Sequence, residues 1–99
     1  MIKKLAALSL LILDLSCNKP EIQYAKACFS YAPDTSIYVG DTITFLNWSE
    51  NASTYSWDFG DGETSTLANP KHCYKSVGIF IITLIAENEH STNSTVRGI

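Results

Sequence analysis

Apolar and polar residues alternate along most of the chain after residue 26, and each alternating stretch ends at Gly, Pro, Asn or Asp. Such a period of two is typical of strands that bury one face. No stretch in this part of the chain has helical spacing. The pattern predicts strands at residues 27–32, 36–39, 41–48, 54–59, 71–74, 79–88 and 92–99. Short strands separated by frequent turn signals predict an all-β fold, a sandwich of two antiparallel sheets.

The first sixteen residues depart from this pattern. Lys3 and Lys4 precede an apolar run at residues 5–13, which is shorter than the roughly 20 residues of a membrane-spanning helix. This layout predicts a signal peptide. The run ends in Leu-Ser-Cys at Cys17, which resembles the lipobox of bacterial lipoproteins of the Bacteroidetes type. The resemblance implies cleavage before Cys17 and lipidation of its thiol with palmitate-like chains. An ordinary secretory signal, with Cys17 incidental, is the alternative.

The predicted organisation is a lipoprotein signal peptide at 1–16, a lipidated cysteine and polar tether at 17–26, and one domain at 27–99. Asn18 follows the cysteine, where many inner-membrane lipoproteins carry aspartate. The resemblance therefore implies an outer-membrane lipoprotein, on the cell surface or the periplasmic face. A secreted protein is the alternative.

Charge and size narrow the classes of function. Seven Lys and Arg against ten Asp and Glu give a net charge of −3, so a basic surface for nucleic acid is not expected. Ninety-nine residues form one small domain with little volume for a catalytic pocket. We therefore expect no enzyme, no cofactor and no small-molecule substrate. The three cysteines are an odd number, and the lipid anchor accounts for one.

Four ordered motifs resemble those of the polycystic kidney disease (PKD) domain. They are VGDTITFLN at 39–47, YSWDFGDG at 55–62, NPKHCY at 69–74 and GIFIITL at 78–84. The resemblance covers about residues 27–99 and implies an immunoglobulin-like sandwich. It also implies structural roles for Trp57, Asp58, Phe59, Gly60, Asp61, Gly62, Pro70, His72, Tyr74 and Gly78.

The signature residues with ionisable side chains are explained by structural roles rather than catalytic ones. Asp58 and Asp61 flank glycines, and their carboxylates can hold a turn by bonding to backbone amides. A paired-carboxylate acid–base site would need a further group and a pocket. His72 shares the core side of its strand with Tyr74, which predicts a hydrogen-bonded structural histidine.

Two further groups raise the questions of metal binding and of a disulfide. Glu87, Glu89 and His90 lie in a polar turn, where weak calcium binding stays open, but no dense loop of oxygen ligands occurs. Cys28 and Cys73 fall on the first and fifth strands. In immunoglobulin-like sandwiches these strands flank the second, about 9.6 Å apart, which exceeds the roughly 7 Å that a disulfide spans. We therefore expect free thiols.

The outward strand positions supply the candidate partner surface. Ile79, Ile81 and Ile85 alternate with core residues, which makes this strand apolar on both faces, and Leu46 and Trp48 also point outward. An exposed apolar patch often marks a contact with a partner. Together with the family resemblance, this predicts a lipid-anchored, non-catalytic module for binding or adhesion to protein or extracellular polysaccharide. The alternative is a structural spacer, an accessory subunit or a truncated remnant of a larger surface hydrolase, secretion or motility assembly.

Overall fold

A computed structural model describes residues 21–99, so the predicted signal peptide and Cys17 lie outside the described residues. Residues 21–99 contain seven strands and no helix, and therefore no helix that could cross a bilayer. The strands are β1 (Phe29–Ala32), β2 (Thr42–Asn47), β3 (Thr54–Asp58), β4 (Thr64–Ser65), β5 (Lys71–Cys73), β6 (Ile81–Glu87) and β7 (Thr92–Gly98).

The strands form two antiparallel sheets that pack face to face. One sheet has the order β1-β2-β5, and the other has the order β4-β3-β6-β7. This confirms the predicted all-β, two-sheet antiparallel sandwich. The long β6 carries buried residues at alternate positions, as expected for a strand with one face in the core.

Aromatic rings from both sheets fill the core. Trp57 is completely buried, and its ring centroid lies 5.1 Å from that of Phe29 and 5.4 Å from that of Phe45. The indole Nε1–H donates to the carbonyl of Leu67 at 2.9 Å, so the tryptophan is buried without an unpaired polar group. Aliphatic side chains from β2 and β6, including Ile43, complete the cluster.

The predicted strand at 36–39 is wrong. The segment between β1 and β2 is irregular and ends in a tight turn, where the Asp41 N–H donates to the Tyr38 carbonyl at 3.0 Å. The Asp41 carboxylate in turn accepts the Tyr38 N–H at 2.9 Å. Ile37 packs against the core, which explains why the short apolar alternation resembles a strand.

The short strand β4 was not predicted, because Thr64 and Ser65 offer no apolar alternation. They pair with Asp58 and Trp57 across the turn that follows β3. Two residues of backbone pairing therefore extend this sheet beyond β3.

Part of the segment predicted as a tether lies against the domain. Lys26 pairs with Glu50 through two backbone hydrogen bonds of 2.9 Å. The Ala25 N–H donates to Ser91 Oγ at 2.7 Å, and Asn88 Nδ2 donates to the Gln23 carbonyl at 2.7 Å. These bonds fasten residues 23–26 to two loops, the one between β2 and β3 and the one between β6 and β7.

Candidate functional site

The turn after β3 is held by its own carboxylate and by close backbone packing. Asp58 Oδ1 accepts the Gly60 N–H at 2.9 Å. Gly60 has a φ of +82°, and a Cβ on it would lie only 2.6 Å from the carbonyl oxygen of Ile81. Only glycine fits this position, because the left-handed backbone and the close approach both exclude a side chain. Gly62 also has a positive φ, of +94°.

Asp61 and His72 join this turn to the opposite sheet. Asp61 Oδ2 lies 2.7 Å from His72 Nε2, and its Oδ1 accepts the Glu63 N–H at 3.1 Å. The His72 ring stacks on Phe59, with centroids 4.2 Å apart. Desolvation alone would raise the pKa of Asp61, but the His72 and Glu63 hydrogen bonds and the histidine charge outweigh it. The pKa of Asp61 is therefore lowered from its ordinary value.

Tyr74 directly follows β5 and contacts the same turn after β3 from the opposite sheet. Its hydroxyl donates to the Phe59 carbonyl, and its ring stacks on Phe80 at 4.2 Å. Burial, followed by repulsion from the charges of Asp61 and Asp58, raises the pKa of Tyr74 to about 12.

The remaining signature residues also contact the fold itself. Pro70 is buried, and its carbonyl accepts the Phe45 N–H at 2.9 Å. A Cβ on Gly78 would lie 3.1 Å from Phe80 Cζ. In this structure the signature side chains thus have partners within the domain, and Asp58 and Asp61 serve the turn.

The outer face of β6 and β7 is different, because apolar side chains point into solvent there, and Ile79, which was predicted to lie in the strand, is exposed just before β6 begins. The exposed fractions are 87% for Ile79, 52% for Ile81 and 64% for Val96, while Ile85 is half-buried. Val96 lies opposite Thr83, and Ile81 lies opposite Gly98. The Ile81 Cδ1 is 3.7 Å from where a Gly98 Cβ would stand. We call Ile79, Ile81, Ile85 and Val96 the β6–β7 strip.

Sequence reasoning located the isoleucines of this strip and missed Val96. The sequence pattern around Val96 was a weak indication, because Val96 is the one aliphatic residue in a polar strand of sequence TNSTVRG. Only the register of β7 on β6 places Val96 beside the isoleucines.

The other predicted outward residues lie on the opposite side of the sandwich. Leu46 is 37% exposed and Trp48 is 61% exposed. Trp48 Nε1 donates to Ser30 Oγ at 2.9 Å, which fixes the orientation of the indole ring. The structure therefore separates the predicted partner residues into two surfaces, one on each sheet.

An apolar groove, which was not predicted from the sequence, opens at one end of the sandwich. Its volume is about 620 Å³, and its lining includes Tyr31, Tyr38, Tyr74, Phe80 and Val77. The loops before β2 and before β6 flank it. Exposed apolar residues in these loops, such as Tyr38 and Val77, were the available clue.

The residues considered for metal binding form no metal site in the described part of the chain, and the two cysteines considered for a disulfide are not bonded to each other. Within residues 21–99, no three His, Cys, Asp or Glu side chains are placed to hold a metal ion. His90 Nε2 contacts only the neighbouring Glu89, at 3.2 Å, in an exposed loop. Cys28 and Cys73 are free. The strand β2 separates β1 from β5, as the resemblance implied.

These observations define an immunoglobulin-like sandwich with an exposed apolar patch on each sheet. The chain belongs to the PKD domain family, whose sequence profile matches residues 26–98. The PKD1 domain of Vibrio anguillarum Epp has the same fold, with a TM-score of 0.67 and 28% identity over 80% of this chain and 94% of that domain. PKD domains are typically non-catalytic accessory modules, although relatives of this chain include enzymes, and the matched residues 26–98 form a small domain.

Two further relatives place such domains in larger proteins. A structure of carbohydrate-binding modules of the β-sandwich superfamily matches with a TM-score of 0.71 and 28% identity, over 81% of this chain and 35% of that one. Collagenase ColQ1 of Bacillus cereus (strain Q1) is 44% identical over 41 residues, which is 41% of this chain and 4% of the collagenase. The chain thus spans a small fraction of the length of the curated relatives it matches.

Proposed function

We propose that the protein is a non-catalytic binding module, lipid-anchored at the cell surface through Cys17, which binds a partner protein through the β6–β7 strip. The observation that supports this function is the exposure of Ile81 and Val96 on the outer face of β6 and β7, with Ile79 also exposed just before β6. Contiguous exposed apolar side chains on such a domain commonly mark an interaction site.

The chemistry of the strip favours protein over sugar. Its aliphatic side chains offer area for burial, which stabilises a complex by roughly 25 cal/mol per Å² of apolar surface removed from water. Among residues 21–99, nothing else packs over Ile79 or Val96, which remain 87% and 64% exposed. Threonine at these positions would serve strand formation equally well, so propensity alone does not account for them.

Extracellular polysaccharide is the second candidate ligand, and Trp48 is the observation that favours it. Its exposed ring is held in place by the bond to Ser30, and a fixed aromatic face can stack on a sugar ring. The likeness to carbohydrate-binding modules supports the same idea. Trp48 and the β6–β7 strip lie on different sheets, so the two ligands can be tested separately.

A spacer or accessory role in a larger surface assembly is the structural alternative. It is supported by the match to a collagenase in which the similar segment is 4% of the protein. A spacer needs no ligand of its own, so point changes on either surface would leave its behaviour unchanged.

The test uses the full chain with an affinity tag, captured from membranes of the cells that make it, and a panel of chitin, cellulose, xylan and fibrillar collagen. Ile81→Thr with Val96→Thr should abolish protein capture and spare polysaccharide binding. If polysaccharide is a ligand, Trp48→Ala should abolish polysaccharide binding and spare protein capture. Leu67→Thr, a change at an exposed leucine in the loop after β4, is the control. Equal capture by all variants would contradict the binding function and favour the spacer.

The anchor needs its own experiment. Cys17→Ser should abolish labelling by a radioactive or clickable fatty acid and release the protein from the membrane fraction. Cys28→Ser is the matched control, because its thiol is exposed on the domain. Unchanged labelling of Cys17→Ser would contradict the lipid anchor.

A further inference from the structure

The edges of the two sheets differ in how much unpaired backbone they present. The edge strands β4, β5 and β1 have two, three and four residues, and Pro33 follows β1 directly. The edge strand β7 has seven residues. Long unpaired edges are templates for another strand, and proteins commonly block them with lysine, proline or a bulge. The strand β7 contains no lysine and no proline.

The hydrogen-bond pattern identifies which residues of β7 face the free edge. Ile99 and Phe80 exchange both backbone hydrogen bonds, at 2.9 and 3.4 Å. In an antiparallel pair, such residues alternate with residues whose N–H and C=O point away from the partner strand. Ser94, Val96 and Gly98 therefore direct these groups at the free edge. Within residues 21–99, no other backbone group bonds to them there.

The side chains of the same residues lie on the outer face, next to the β6–β7 strip. Val96 stands at the edge itself, and Ile81 reaches over Gly98, which has no side chain to block it. A strand added beside β7 would thus gain backbone bonds and an apolar contact on one face.

We infer that this edge pairs antiparallel with β7 of a second copy of the chain, with Val96 opposite Val96 on the twofold axis. An isologous contact of this kind uses the same patch on both molecules. Ser94 of each copy then faces Gly98 of the other, and the two four-stranded sheets become continuous.

Charge is compatible with this pairing. The one charged side chain of β7, Arg97, points to the inner face, where its guanidinium lies 4.9 Å from the centre of the Tyr31 ring of the same chain. No carboxylate or ammonium group of β7 lies on the outer row. The faces of both sheets remain open in the dimer, so the two β6–β7 strips would form one larger apolar surface.

The experiment is disulfide cross-linking of the full chain in membranes, in a Cys28→Ser, Cys73→Ser background. Val96→Cys should give about ten times as much reducible dimer as Ser56→Cys, because a disulfide spans only roughly 7 Å between Cα atoms. Ser56 lies on the outer face of the interior strand β3. The background protein itself measures any dimer formed through Cys17. Equal dimer from Val96→Cys and Ser56→Cys would overturn the inference.

A second measurement avoids cysteine. Val96→Lys should raise the dimer dissociation constant of the detergent-solubilised full chain by about tenfold or more, as measured by sedimentation. Leu67→Lys introduces the same charge at an exposed loop position away from β7 and should have no effect. Equal constants for the two variants would overturn the pairing. The sedimentation measurement contains only the solubilised chain and no partner or polysaccharide, so a failure of the dimer is distinguishable from a failure of the proposed binding function.

Discussion

The turn after β3 and the β6–β7 strip show opposite uses of side chains. In the turn, the Asp58 carboxylate bonds to Gly60, and Asp61 bonds to His72. In the strip, Ile81 and Val96 face solvent with no cover from residues 21–99. The first region closes the sandwich, and the second leaves apolar surface available.

The difference explains why the family motif gives little information about a binding surface. The motif residues are recognisable because the turn needs them in a fixed geometry, and their polar groups are thereby used within the domain. A binding surface has to come from side chains that the fold does not need. Ile79, Val96 and Trp48 meet that condition because they are well exposed.

The sharpest way to break the turn is Gly60→Ala. The positive φ costs about 1–2 kcal/mol for a residue with a side chain, and the methyl would clash with the backbone of Ile81. Overpacking adds about 1–3 kcal/mol. We expect a loss of about 3 kcal/mol in the free energy of unfolding, measured by urea denaturation.

Gly62→Ala is the matched control for this change. Gly62 has a similar φ of +94°, but nothing lies within 4 Å of its Cβ position. It should therefore show only the cost of the backbone, about 1–2 kcal/mol. Equal losses for the two variants would mean that the contact between Gly60 and β6 contributes nothing.

Tyr74→Phe removes one hydrogen bond from the same turn. The Phe59 carbonyl would lose the hydroxyl it accepts from, which costs about 1–3 kcal/mol for a buried group left unpaired. Tyr38→Phe, at a tyrosine that is 71% exposed, should cost nothing measurable. A loss no larger than that of Tyr38→Phe would show that the buried bond is unimportant.

The raised pKa of Tyr74 predicts that the free energy of unfolding depends on pH in the alkaline range. Its folded-state pKa of about 12 exceeds the ordinary value of 10.0. Above pH 10 the unfolded chain therefore loses this proton first, and stability falls as the pH rises from about 10 to about 12. The slope of unfolding free energy against pH in this range should become smaller in Tyr74→Phe. An unchanged slope would contradict the role of Tyr74.

Asp61→Asn tests the link between the turn and His72. Because the pKa of Asp61 is lowered, the folded state favours the carboxylate, and its contribution is present above the ordinary pKa of 3.8. It is lost as the pH falls through the lower folded-state pKa. The variant should lose about 1 kcal/mol at neutral pH and flatten the acid limb of a pH–stability curve. Asp34→Asn, in an exposed loop, should leave that limb unchanged.

Sequence reasoning succeeded where burial imposes a regular pattern. The alternation of Ile82, Leu84 and Ala86 follows directly from one buried face, and it located β6 and the outward isoleucines. Sequence reasoning failed where strand pairing depends on residues that are distant along the chain. The strand β4 exists because the turn at Gly60 returns the chain to β3, and the position of Val96 depends on the register of β7 on β6. Neither leaves a local apolar pattern.

The smallest expected effect on stability belongs to the strip itself. Ile81→Thr keeps a β-branched side chain at a position that is 52% exposed, so the free energy of unfolding should change by no more than about 0.5 kcal/mol. Ile82→Thr, one residue along the same strand, buries a hydroxyl at a fully buried site and should cost about 1–3 kcal/mol. Urea denaturation of the two variants compares the two faces of β6. Similar losses would mean that Ile81 belongs to the core and that its face is no free surface, whereas a neutral Ile81→Thr would show that the fold does not need an isoleucine there.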